Sequence, residues 1–160
     1  MTKYIYFNED LDTESVTDLV DKVYRTEGKM RIYISTHGGY SNQTAFLISA
    51  LNSRKKDITL VMTDFVASCG TFFLLDFEGE MEFFEIDVLL FHCVDRSQLG
   101  IRKEIMDAKK LRKMDMDCNR VMAQRFYDKG WFDVKQKRKF LRGEDVVMYK
   151  DEIMVKYNNL

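Results

Sequence analysis

Short runs of β-branched and aromatic residues alternate along this chain with stretches whose apolar residues recur every three or four positions. That alternation restricts the fold more than any other feature. A strand–helix–strand rhythm calls for crossover connections, and crossovers leave parallel strands covered by helices. Residues 4–7 read as the first strand. Asp12 or Thr13 then caps a helix whose Val16, Leu19, Val20 and Val23 fall at 3.6-residue spacing, and Gly28 ends it. Residues 30–34 form a second strand, followed by the loop Ser35-Thr36-His37-Gly38-Gly39. Ser41 opens a helix with Ala45, Phe46, Ile48 and Leu51 along one face. Residues 58–62 make a nearly continuous apolar strand, as expected where both faces are covered. Val66-Ala67-Ser68-Cys69-Gly70 leads into a buried helix over 71–75. Residues 81–86 and 88–91 look like two further strands, the second ending at His92. A long charged helix over 101–127 carries the stripe Ile105, Ala108, Leu111, Cys118 and Val121. It stops near Gly130, and a short amphipathic tail from Phe140-Leu141 to Ile153 closes the chain. The pattern predicts an α/β fold and a single domain over residues 1–160.

Proline is absent, so glycine must do most of the sharp turning. An apolar share of 46% at 160 residues is enough to bury a core without disulfides or a structural metal. A net charge of −1 supplies no long-range field, so neither nucleic acid nor an anionic membrane is called for as a partner. Cys69, Cys93 and Cys118 are odd in number and irregularly spaced, which is not a disulfide framework, and no C-x-x-C metal pattern occurs. Free thiols fit a reducing compartment. Asn8 and Glu9 interrupt the N-terminus before a signal-peptide core could form, and no apolar run approaches a membrane span. These features together predict a cytoplasmic protein.

Two histidines limit histidine chemistry to His37, before a Gly-Gly turn, and His92, at a strand end. A strand fixes such a histidine while the loop beyond leaves it room to reach a cleft. Most lone histidines are nonetheless structural, and Ser68 is what changes the balance here. It stands between an apolar strand and an apolar helix among small neighbours, Ala67, Cys69 and Gly70. A serine nucleophile needs an exposed Oγ, close backbone approach and N–H donors aimed at the developing oxyanion. The amide of Cys69 in a first helical turn is one such donor. Gly38 and Gly39, which let backbone approach a ligand closely, are candidates for another. Taken alone, the segment reads better as a serine capping a buried helix than as a nucleophile.

The order of these elements carries the discrimination. Ile34-Ser35-Thr36-His37-Gly38-Gly39, then Phe65-Val66-Ala67-Ser68-Cys69-Gly70, then Phe91-His92-Cys93 resembles the Clp protease proteolytic subunit. That family carries S-P-G-G, G-x-A-S-M-G and H-Q-P in this order. The resemblance spans nearly the whole chain. Residues 4–11 match its opening strand, 101–127 its long handle helix, and the segment from Phe140-Leu141 through Asp145 and Tyr149 to Ile153 its closing motif. It implies a ClpP/crotonase-like spiral of ββα units. Ser68 would be the nucleophile, His92 the base, and Gly38, Gly39 and the Cys69 amide the oxyanion-hole region. The implied reaction is hydrolysis of a peptide or unfolded-protein substrate, with no metal and no organic cofactor. The implied assembly is a homo-oligomeric ring or double ring built through the long helix, with an ATPase unfoldase as a candidate partner. Tyr4 already begins the strand, so the N-terminal segment that engages such an ATPase is not expected.

Three departures matter. Arg138 stands where the family's triad aspartate should be, with Asp133 as a weak substitute. The family's proline in S-P-G-G is His37, and H-Q-P has become His92-Cys93-Val94. Losing a triad acid typically costs on the order of 10⁴-fold in turnover, so the sequence predicts a dyad. The alternatives are a catalytically inactive structural or regulatory subunit of the same fold and a crotonase-like acyl-CoA enzyme, which also uses paired backbone amides. Cys69 as a rival nucleophile is less favoured than a small residue filling a tight turn. The basic cluster Lys135, Lys137, Arg138, Lys139 and Arg142 lacks interleaved aromatics and reads as a solvated face. Met106, Met114, Met116 and Met122 offer an adaptable surface on the long helix, and the resemblance implies that this helix is a subunit contact.

Overall fold

The structure is a computed structural model that describes residues 1–93 and 108–160. The expected helix start at 101, with Ile105 and Met106, and Val94 of the third motif lie outside the described residues. The chain divides into two compact units. One comprises Met1–Phe91 with Val147–Met154, the other His92–Val146 with Val155–Leu160.

The first unit is built on a sheet of strand order β1-β2-β3-β4-β5, comprising Lys3–Asn8, Met30–Thr36, Ile58–Ala67, Glu80–Phe91 and Val146–Tyr149. β1 to β4 pair in parallel, as the alternating pattern requires. The first crossover is α1 (Thr13–Arg25), whose N-cap Asp12 accepts from the Ser15 N–H at 2.9 Å. Its buried face is Val16, Leu19, Val20 and Val23, the stripe expected from spacing. The second crossover, α2 (Ser41–Asn52), buries Thr44, Leu47, Ile48 and Leu51. Ala45 and Phe46, expected inside, face solvent. The buried stripe starts on a threonine, whose Oγ1 donates to the Tyr40 carbonyl, so an apolar count places the face one position off.

β3 runs five residues past the expected end. At Asp64, φ is +57° and the register with β4 slips, after which Phe65, Val66 and Ala67 resume pairing. The two expected strands 81–86 and 88–91 are likewise one strand. A bulge with Glu85 at φ +47° bends β4 without breaking it, because the ladder on either side stays paired to β3. A 3-10 turn at Ser68–Phe72 and the short helix α3 (Phe73–Asp76) connect the two strands, and Phe73, Leu74 and Leu75 are buried.

The second unit packs α4 (Ala108–Asp128) against α5 (Val134–Leu141). Phe126, Phe132 and Phe140 form a ring cluster with centroids 5.0 to 6.5 Å apart, beside the buried Trp131. The buried stripe of α4 is Leu111, Asp115, Asn119, Met122 and Phe126, while the expected Val121 is exposed. Polar residues on the packed face hide it from an apolar count. Met122 therefore belongs to the core, and Met114 and Met116 remain outward. α6 (Lys150–Asn158) closes the chain. No helix among the described residues is long and apolar enough to cross a membrane.

Candidate active site

Ser68 follows the last residue of β3 and opens the 3-10 turn. Its φ of +54° is a left-handed conformation costing a non-glycine residue about 1–2 kcal/mol, and such strain collects at sites where a side chain must be presented rather than packed. The turn is held by Thr71, whose Oγ1 donates to the Ser68 carbonyl at 2.7 Å. Ser68 is half-buried.

Gly38 lies directly against it. A Cβ at Gly38 would fall 2.6 Å from Ser68 Cβ and 2.9 Å from the Ala67 carbonyl oxygen, and φ is +101°, so no other residue fits this backbone path without displacement. Gly39 approaches the backbone of Leu11 as closely. The Leu11 N–H donates to the Gly38 carbonyl at 2.8 Å and the Tyr40 N–H to the Leu11 carbonyl at 3.0 Å. The Gly-Gly loop is thus clamped between the segment after β1 and the Ser68 turn. The Gly38 N–H donates to Thr36 Oγ1 at 3.1 Å, so an oxyanion using this amide must displace the Thr36 hydroxyl. Cys69 donates its thiol to the Gly39 carbonyl at 3.4 Å. Burial pushes the Cys69 thiol above its ordinary range, which keeps it protonated and a poor nucleophile beside Ser68. His37 is exposed, its ring 4.9 Å from that of Phe65.

His92 belongs to the second unit, and its partner is a residue to which the sequence pattern assigns no role. Asp145 Oδ2 lies 2.9 Å from His92 Nδ1. The other carboxylate oxygen, Oδ1, accepts from the Cys93 N–H at 3.1 Å, so two consecutive residues hold both oxygens. The carboxylate beside His92 thus comes neither from position 138, where the resemblance leaves an arginine, nor from the weak candidate Asp133. Arg138 is exposed on α5. Asp133 caps α5, accepting from the Gln136 N–H at 2.8 Å while Gln136 Oε1 accepts from the Asp133 N–H at 2.9 Å.

The end of α5 explains why Asp145 arrives at this place. Gly143 adopts φ +81° past the C-cap Arg142. Its N–H donates to the Phe140 carbonyl at 3.0 Å, and the Glu144 N–H donates to the Lys139 carbonyl at 3.2 Å. This is the paired 6→1 and 5→2 closure that turns a chain sharply off a helix. Asp145 follows immediately and precedes β5, the sheet neighbour of β4, whose last residue precedes His92. The signal available in the sequence is a glycine one residue past a capped helix, with an acid two residues on and an apolar strand after it. The expected basic cluster surrounds this helix as a solvated face. Lys137 lies over the Tyr127 ring at 4.7 Å, and Arg142 pairs with Glu144 at 2.9 Å.

No protein-family model matches the sequence, and no curated protein matches it. Solved structures do match. The ClpP protease catalytic domain from Plasmodium falciparum superposes with a TM-score of 0.63 at 15% identity, over 96% of this chain and 80% of that one. A ClpP point mutant from Listeria monocytogenes superposes with a TM-score of 0.59 at 16% identity, over 96% of this chain and 86% of that one. At so low an identity the likeness speaks for architecture: the chain has the mixed α/β fold of ClpP protease catalytic domains.

Proposed function

We propose that this chain is a ClpP-like serine peptidase subunit in which Ser68 is the nucleophile, His92 the general base and Asp145 the acid that orients it. The observation that carries the reading is the Asp145 carboxylate 2.9 Å from His92 Nδ1. A carboxylate on Nδ1 favours the tautomer with the proton there, which leaves Nε2 as the acceptor a serine proton needs. His92 would take the Ser68 proton as Oγ attacks the peptide carbonyl. It would return the proton to the leaving amine, and water would then release the acyl-enzyme. Supporting features are the strained φ of Ser68 and the close approach of Gly38. The Cys69 amide in the first turn after Ser68 is one oxyanion donor. Gly39, or Gly38 once freed from Thr36, is the other. Assembly into rings through α4 belongs to the same proposal, and the outward Met114 and Met116 are its contact candidates.

A second reading, a non-catalytic subunit of the same fold, is favoured by the Gly38 N–H already being donated to Thr36. A fluorophosphonate probe separates the two. The peptidase reading expects labelling of Ser68 in the wild type and none in Ser68→Ala or His92→Ala. A wild type that stays unlabelled in every assembly state establishes the second reading instead.

A further inference from the structure

We infer that Cys93 is a positioning residue for the His92–Asp145 pair, its buried thiol tying down the turn that carries the acid. The inference rests on the role proposed above for His92 and Asp145. Cys93 is 8% exposed, and its Sγ lies 3.4 Å from two carbonyl oxygens, those of Phe140 and Glu144. These carbonyls bracket the turn. Phe140 is the buried residue of α5, fixed in the ring cluster with Phe126 and Phe132. The Glu144 carbonyl is one peptide bond from Asp145. A donor bridging both fixes the exit direction of the chain at Asp145.

The same residue's backbone holds the carboxylate itself, since the Cys93 N–H donates to Oδ1 while His92 faces Oδ2. One residue thus controls the acid twice, through its amide at the carboxylate and through its thiol at the preceding carbonyl. The thiol is suited to the task because it stays protonated. Burial first, then the charges of Asp145 and Glu144, push it up to about 11, so an S–H is present at any working pH. Asp145 sits on a turn rather than on a strand or helix, so such a tether is needed to keep it within reach of His92. In metal sites, groups that orient a ligand histidine at second hand typically change activity by about 10- to 100-fold, and an effect of the same order is expected here.

The rival account is that Cys93 only fills space, and three variants of the full-length chain separate the two. Cys93→Ser keeps a donor, Cys93→Val keeps volume without a donor, and Cys93→Ala removes both. Two readouts are taken on each. The first is the His92 ring tautomer by long-range ¹H–¹⁵N NMR, assigned against His37→Gln. The second is kcat and KM for peptide hydrolysis. The expected result is a predominant Nδ1–H tautomer in the wild type and Cys93→Ser, and mixed tautomers in Cys93→Val and Cys93→Ala. With it, kcat falls about 10- to 100-fold in Cys93→Val at unchanged KM, and Cys93→Ser recovers most of the loss. Cys93→Val matching the wild type in tautomer overturns the inference, as does Cys93→Ser failing to rescue while Cys93→Val does. If the wild type hydrolyses no peptide, the peptidase reading fails separately, and the tautomer alone decides the role of Cys93. Should Cys93→Ala not fold, the serine and valine pair carries the comparison.

Discussion

Replacing Gly38 with alanine tests the contact that holds the turn of the proposed nucleophile Ser68. Two costs add. An L-residue at φ +101° is strained by about 1–2 kcal/mol or more, partly offset by about 0.4–1 kcal/mol from a stiffer unfolded chain. The new methyl would also meet Ser68 Cβ at 2.6 Å and the Ala67 oxygen at 2.9 Å, and overpacking of that kind costs typically about 1–3 kcal/mol. The sum is about 3 kcal/mol. Gly28 is the internal control, since its φ is +79° but a Cβ there would have nothing within 4 Å. Gly28→Ala thus carries the strain alone, about 1 kcal/mol net. For a chain of this length 1 kcal/mol shifts Tm by about 2–4 °C, so scanning calorimetry should find Gly28→Ala about 3 °C lower and Gly38→Ala about 9 °C lower. Well below either Tm, fluorophosphonate labelling should persist in Gly28→Ala and vanish in Gly38→Ala. Equal Tm losses in the two variants would refute the claim that Gly38 and Ser68 are in enforced contact.

Asp145→Asn should leave the fold intact and lower kcat on the order of 10⁴-fold by favouring the wrong His92 tautomer. Asp133→Asn, by contrast, should keep kcat and cost no more than about 1 kcal/mol of stability in chemical denaturation, since asparagine still caps a helix. Glu82 is held below the usual carboxylate range by its hydrogen bonds from Arg31. A depressed folded-state pKa gives stability that is present above the ordinary carboxylate pKa and lost as pH falls through and below it. Glu82→Gln should therefore flatten the acid limb of a Tm–pH curve. The pair is partly exposed, so the difference should stay within about 1 kcal/mol. Met116→Asp, on the outward face of α4, should shift the assembly toward smaller species in light scattering without lowering Tm. An unchanged mass distribution would remove α4 from the proposed interface.

Local chemistry in the sequence is sufficient for the alternation of strands and helices, for the Asp12 cap, and for the buried stripe of α1. Those features depend on residues three or four apart, so a single stretch of chain contains all the information. It also suffices to single out the glycine pair and the Ser68 turn as backbone that must come close to something. What the glycines approach, Ser68 on one side and Leu11 on the other, is a matter of how β1, β2 and β3 lie side by side. The faces of α2 and α4 differ from expectation because Thr44, Asp115 and Asn119 are buried among apolar residues, and burial of a polar group is decided by the partners that packing supplies. The division of β4 into two strands fails for a related reason. A bulge bends the local pattern, but the neighbouring strand keeps the ladder continuous.

Asp145 shows the boundary most clearly. The family resemblance presents the arginine at position 138 as a missing acid, while the residue that stands beside His92 reads in sequence only as part of a closing segment. Three steps separate its sequence from its place: a capped helix anchored by Phe140, a left-handed exit at Gly143, and a following strand that pairs beside the one leading to His92. The sequence by itself determined that a serine, a histidine and a pair of glycines stand at element ends in an α/β chain. Only the tertiary structure decided which acid the histidine meets, because that meeting depends on pairing between strands far apart in the chain, where no local pattern reaches.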